Sequence, residues 1–156
     1  MEQQSNNNLS FDASLLAFSL LKRLNAGKVD TFEERLRSQK VQYLAQVFSV
    51  SPAYKFNLYL RGPYSPGLAN DLFKFNAERR EPDLNEFIPS ELEERFEKLK
   101  TFIEGKTTRQ LELIVTLHWL LKVATLKTQD AIKRLKKWKT ANDDEVSYSI
   151  SQLKII

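Results

Sequence analysis

Among side chains able to make and break bonds, this chain holds one histidine, His118, and no cysteine. A thiolate nucleophile, a disulfide and a cysteine-bound metal are therefore excluded. His118 lies between Leu117 and Trp119 in the most apolar stretch of the chain. A lone imidazole there is expected to be a hydrogen-bonded interior group, and no second histidine exists to share a metal ion. Ser65 sits in Gly62-Pro63-Tyr64-Ser65-Pro66-Gly67, which lacks the Gly-x-Ser-x-Gly spacing of a strained nucleophile elbow. It reads as a helix cap. Gly105-Lys106-Thr107 has the ending of a phosphate-binding loop, but Lys100 stands where that loop needs its first glycine, and the preceding element reads as a helix where a strand is required. Asp143 and Asp144 read as surface carboxylates at a helix start, where acids favour the helix dipole. No catalytic set, metal or cofactor emerges, and the chain reads as non-enzymatic.

Binding chemistry is better represented. The segment from Tyr59 to Leu72 concentrates Gly62, Pro63, Pro66 and Gly67, residues that free or fix the backbone and mark a shaped turn. Gly62, Pro63, Ser65 and Pro66 form its structural frame. Tyr59, Arg61 and Tyr64, joined by Gln39 and Lys40 from the preceding helix, make the expected surface for a protein partner. A second candidate is the run Lys133-Arg134-Leu135-Lys136-Lys137-Trp138-Lys139. Its five cations, Lys133, Arg134, Lys136, Lys137 and Lys139, surround Leu135 and Trp138, which are expected to point inward. Such a run is most often a solvated helix face, and its functional meaning would be phosphate contact with nucleic acid. The following helix opens on Asp143, Asp144 and Glu145. Three carboxylates at that end oppose base readout, because a recognition helix meets bases and phosphates with its N-terminus.

Helices must position these groups. Ser10 caps a predicted helix running to about Ala26, with Gly27 as its stop. Thr31 and Glu34 make a capping box for a helix over 32–48, whose apolar stripe is Phe32, Leu36, Tyr43, Leu44, Val47 and Phe48. Tyr54, Phe56, Leu58 and Leu60 alternate with polar neighbours as in a short strand. Ser65 then caps a helix from Pro66 to Ala77, with proline at its first position. A polar loop with Pro82 and Pro89 leads to a helix capped by Ser90, buried along Leu92, Phe96, Leu99 and Ile103, and ended by Gly105. The stretch from about Thr108 to Ala124 is apolar on most sides and should be a central buried helix. Thr128 caps a helix over 129–138, and Asn142 with Glu145 starts a last one.

The fold class expected is therefore mostly α: about seven helices around a central buried helix, with at most a short β element. Residues 1–9 are expected to fray as a flexible tail, and 10–156 to form a single helical domain. Within it, 108–156 has the order of a helix-turn-helix-like subdomain. The 156 residues suit one domain, and no run approaches the roughly 18 apolar residues of a membrane span. The polar N-terminus lacks the features of a signal peptide, which points to a cytoplasmic protein. A net charge of +4 and a pI near 9.2 permit weak nucleic-acid contact without requiring it.

Three stretches carry a family resemblance. They are Leu36-x-x-Gln39-Lys40-x-x-Tyr43-Leu44, Tyr59-Leu60-Arg61-Gly62-Pro63-Tyr64-Ser65-Pro66-x-Leu68-x-x-Asp71-Leu72, and Leu111-Glu112-Leu113-Ile114-x-Thr116-Leu117. Over roughly residues 30–155 the chain resembles the YwgA-like proteins of bacteria and archaea. More distantly it is similar to the Panacea antitoxin domain, with its Lys-x-x-Tyr-Leu helix and Gly-Pro turn. The resemblance implies a small, mostly helical protein that neutralises a toxin by direct binding. The leading expectation is thus an antitoxin-like interaction protein that recognises a protein partner, homo-oligomerisation remaining open. The alternative is a nucleic-acid-binding transcriptional regulator using the basic run at 133–139.

Overall fold

Seven amphipathic segments form α-helices among residues 10–80 and 89–156, the residues that the computed structural model describes. They are α1 (Phe11–Arg23), α2 (Phe32–Val47), α3 (Pro66–Ala77), α4 (Glu93–Ile103), α5 (Thr108–His118), α6 (Thr128–Lys139) and α7 (Asp143–Leu153). A hairpin of β1 (Asn57–Tyr59) and β2 (Gly62–Tyr64) joins α2 to α3. The fold is mostly α with one short β element. No helix among the described residues is long and apolar enough to cross a membrane. The expected tail at 1–9, and Pro82 of the expected loop, lie outside the described residues.

Helix starts follow local side-chain chemistry. Ser10 accepts from the Ala13 amide, Ser65 from that of Leu68 with Pro66 at the first position, and reciprocal capping boxes form at Thr31/Glu34 and Asn142/Glu145. A further box, Thr107 with Gln110, opens α5. Two expected caps do not form. Ser90 lies in a 3₁₀ turn, Ser90–Leu92, with α4 beginning only at Glu93 and no side-chain cap. Thr128 is already helical, and the cap position is Lys127.

Two helix ends depart from expectation, those of α1 and α5. Helix α1 stops at Arg23, not near Ala26, because Asn25 takes a left-handed conformation (φ 55°). The amides of Asn25 and Ala26 then bond back to the Lys22 and Leu21 carbonyls, at 3.1 and 2.8 Å. This is a Schellman closure built on asparagine where the sequence suggested Gly27. Ser49 and Arg79 close α2 and α3 in the same way, with φ of 60° and 51°. The stretch expected to be helical to Ala124 is α-helical only to His118. A π-helical turn, Trp119–Val123, follows, and Val123 is exposed.

Helix α5 is central, as its apolar pattern requires. Leu111, Ile114 and Val115 belong to the large core formed with α1, α2, α3 and α4. Leu113 and Leu117 turn the other way, into a smaller core with Leu120, Ala131, Leu135, Ala141 and Val146. The last three helices thus share a core of their own, sealed to the rest through α5. Helix α2 is also enclosed: all eight residues from Ser38 to Ala45 are buried, although Ser38, Gln39, Lys40 and Gln42 are polar. Its expected stripe fails at Phe32, which is 57% exposed.

The strand expected near 54–60 is shorter, and it has a partner within the turn itself. Tyr59 pairs with Gly62, Leu58 with Pro63 and Asn57 with Tyr64, antiparallel. Leu60 and Arg61 form the loop, and Gly62 follows at φ +91°. A backbone angle of this sign suits glycine, which has no Cβ to oppose it. Burial alternates from Tyr54 through Phe56 to half-buried Leu58, then breaks at Leu60, which is 89% exposed.

Gly62 also lies hard against α5. A Cβ there would stand 2.5 Å from Thr116 Oγ1 and 3.2 Å from Lys40 Nζ. Gly105 is left-handed too (φ +78°), but its Cβ would enter open space. Gly62→Ala is therefore expected to destabilise by about 1–3 kcal/mol from strain with added overlap, lowering the melting temperature by several degrees. Gly105→Ala should cost only the conformational part, about 1 kcal/mol. Equal shifts for the two variants in thermal unfolding would show that close packing at Gly62 contributes nothing.

Candidate functional site

A two-stranded hairpin cannot satisfy its own outward backbone groups, and each buried carbonyl needs a donor. Here buried side chains supply them. Gln39 clamps Ser65 at both ends, donating from Nε2 to its carbonyl (3.0 Å) and accepting its amide at Oε1 (2.8 Å). Lys40 Nζ donates to the Pro63 carbonyl at 2.9 Å. Lys139 Nζ, from the end of α6, donates to the Leu60 carbonyl and to Glu112 Oε2, both at 2.7 Å. Lys40 is fully buried, and Lys139 and Glu112 are 7% and 3% exposed. Three elements distant in sequence, α2, α5 and α6, thereby grip one loop.

The charges beneath the hairpin do not balance if both lysines are protonated. Burial pushes the Lys40 ammonium down to about 7; Glu112 opposes this shift, and Lys139 adds to it. With Lys40 neutral, Glu112 and Lys139 remain as a closed ion pair. Nearby, Thr116 Oγ1 is buried with no hydrogen-bond partner among the described residues. Further along α5, Tyr43 Oη and His118 Nδ1 lie 2.7 Å apart. Burial raises the Tyr43 phenol and lowers the His118 imidazole, with Lys122 adding to the latter. Tyr54 donates to Asp71 at 2.7 Å, and burial with that bond holds its phenol well above the ordinary value. Among the described residues no group of three or more histidine, aspartate or glutamate side chains could hold a metal.

Beside this anchored hairpin runs a groove of about 530 Å³. Its walls are the first turns of α2, the hairpin and one face of α3, with Leu36, Ala69 and Leu72 among the lining residues. Phe32, Tyr59, Leu60, Tyr64 and Phe73 all line it, and all five are exposed, Phe73 by 71% and Leu60 by 89%. Tyr59 and Tyr64 meet edge to face at 5.4 Å, and the Arg61 guanidinium lies 5.5 Å from the centre of the Phe32 ring.

The structure thus brings Tyr59, Arg61 and Tyr64 together on one accessible face. Gln39 and Lys40 line the same groove, but both are buried, and their polar ends act as struts under the hairpin. Phe32, Leu60 and Phe73 were missed as groove residues. Phe73 carried a legible signal, since it falls off the buried stripe Leu68, Leu72 and Phe75 of its own helix. The basic run is also altered. Lys133, Arg134, Lys136 and Lys137 are exposed, but Lys139 is the buried partner of Glu112. Trp138, expected inward, is 51% exposed, with the Arg134 guanidinium 5.8 Å from its ring. Lys136 pairs with Asp143. Comparison with protein-family models, curated proteins and solved structures finds no match.

The lowered Lys40 value carries a sign that can be checked. From pH 7 towards its ordinary value near 10.5, the unfolded chain holds a proton at Lys40 that the folded chain has lost. Stability should therefore rise with pH over that interval. Above about pH 10 the raised tyrosines reverse the trend. Urea unfolding is expected to show a more stable wild type at pH ~9 than at pH ~7, and a shallower rise for Lys40→Met, in which the Lys106 ammonium is still lowered by burial. An identical slope in both proteins would mean that Lys40 is protonated in the fold.

Proposed function

We propose that this chain is a non-enzymatic, antitoxin-like interaction protein of the cytoplasm that captures a protein partner in the groove between α2, the hairpin and α3. The observation carrying this reading is the cluster of Phe32, Tyr59, Leu60, Tyr64 and Phe73, five large apolar side chains left in water around one concavity. Contiguous exposed apolar surface of this kind marks interaction sites, and aromatic residues with arginine are enriched at binding hot spots. The struts Gln39, Lys40 and Lys139 hold the hairpin wall in place before any partner arrives, which lowers the ordering cost of binding. The Gly-Pro turn, the most specific element of the family resemblance, builds that wall. Phe73 is exposed on α3, so Phe73→Asp should leave the fold intact. Co-expressed with the product of the adjacent gene, wild-type protein should co-purify with it and Phe73→Asp should not. Undiminished co-purification by a folded Phe73→Asp protein would remove the groove from the interface.

A second reading is favoured by the exposed face of α6. Lys133, Arg134 and Lys137 stand in solvent beside half-exposed Trp138, a pairing of cations with an aromatic that suits nucleic-acid phosphates and bases. Three phosphate contacts would give an affinity that falls about 40-fold between ~50 and ~200 mM salt. Binding to random duplex should follow that slope, and should vanish in a variant with Lys133, Arg134 and Lys137 all replaced by Glu. Tight, sequence-selective binding that survives the higher salt would make regulation of transcription the primary role.

A further inference from the structure

The lining of the groove has an uneven charge. Among the described residues it includes the guanidinium-bearing Arg35 and Arg61 and the buried amine of Lys40, and neither aspartate nor glutamate. None of the acids close by in sequence among the described residues lines the groove. Glu34 closes the capping box on the Thr31 amide at 2.9 Å. Asp71 accepts from Tyr54. Asp30 lines a separate cavity with Asn25, Arg79 and Arg80, and Glu33 acts on the Arg37 guanidinium. Arg61 has no carboxylate partner among the described residues. Its guanidinium leans on the Phe32 ring, which positions it without using up its hydrogen-bond donors. Arg35 donates through one terminal nitrogen to the carbonyls of Val29 and Asp30, at 2.9 and 3.3 Å. That contact fixes the side chain at the rim.

From this complementarity we infer that the occupant is a short partner segment with apolar anchors beside one or more Asp or Glu side chains, the carboxylates engaging Arg61 and Arg35. The inference rests on the groove being the partner site. Large apolar walls take the anchors, and a guanidinium takes a carboxylate through two parallel bonds. A small molecule would leave much of the apolar surface of Leu60 and Phe73, 89% and 71% exposed, in water. A nucleic-acid backbone would want a continuous basic stripe, and here two exposed guanidinium groups stand among mostly apolar neighbours, with Lys40 buried beneath them.

The test uses the full chain as bait for a displayed library of random peptides, with selected sequences resynthesised and their affinities measured by fluorescence anisotropy. Selected peptides are expected to combine aromatic or aliphatic residues with Asp or Glu. Phe73→Asp should abolish their binding, and Arg61→Glu should weaken it by about 10-fold or more, the scale of one lost charge-assisted bond. Arg61→Gln should fall between, and selection on the Arg61→Glu protein should enrich Lys or Arg in place of the acids. Peptides that depend on Phe73 but show no acidic bias, with affinity unchanged in Arg61→Glu and Arg35→Glu, would overturn this inference and leave the groove as the partner site. If nothing is selected, or the selected peptides bind Phe73→Asp equally well, both readings fall. Circular dichroism of each variant confirms that it is folded.

Discussion

A fully buried lysine amine holding the Pro63 carbonyl is the contact on which the rest of this structure turns. An ammonium group is expensive to bury, and among the described residues the interior offers one carboxylate, Glu112, already bonded to Lys139. The response is to let Lys40 shed its proton near neutrality and to use its amine as a directed donor. A buried ionic group adds little net stability when compared with well-packed apolar residues. What it supplies here is position. Lys40, Gln39 and Lys139 each meet a different hairpin carbonyl, and no apolar side chain could do that.

That arrangement links two cores. Glu112 and Thr116 lie on α5 among residues that serve both the larger and the smaller apolar cluster, and Lys139 ends the helix that carries Ala131 and Leu135. The hairpin is therefore attached at once to α2 in one cluster and to α6 in the other. A left-handed Gly62 allows the close approach to Thr116. The groove follows directly. With the hairpin drawn down onto α5, its outer residues Tyr59, Leu60 and Tyr64 face across to Phe32 and Phe73, and apolar surface is left uncovered. An apolar wall that is rigid in the absence of a ligand binds with less ordering than a loop that must fold around it.

The elements were legible wherever the signal was local. Capping pairs at Thr31/Glu34 and Asn142/Glu145, and Ser65 with Pro66, placed helix starts correctly because a cap is a bond between residues three apart. Ser90 failed because a 3₁₀ turn intervened between it and the helix. Of the ends, those at Val47 and Ala77 fall where expected, while α1 stops short because Asn25 turns left-handed without the glycine that usually marks such a stop. Periodicity identified α5 and misjudged α2 and α6, where polar Gln39, Lys40, Gln42 and Lys139 are buried and aromatic Phe32 and Trp138 are exposed. Gln39, Lys40 and Lys139 find partners more than 20 residues away, in Ser65, Pro63 and Glu112, whereas Gln42 finds its own in nearby Gln46, Ser51 and Pro52.

By itself the sequence determined a mostly helical chain, a central apolar helix, a Gly-Pro turn of unusual composition, and the lack of any thiol or paired histidine chemistry. These follow from residue type and short-range spacing, the range over which caps, turns and amphipathic stripes act. Only the tertiary structure decided which polar residues go inside, where the second strand lies, and that Phe32, Leu60 and Phe73 join Tyr59 and Tyr64 around one groove. The reason is physical: burial is a property of where chain segments meet, and a lysine or a phenylalanine carries no local mark of the carbonyl or the solvent it will face.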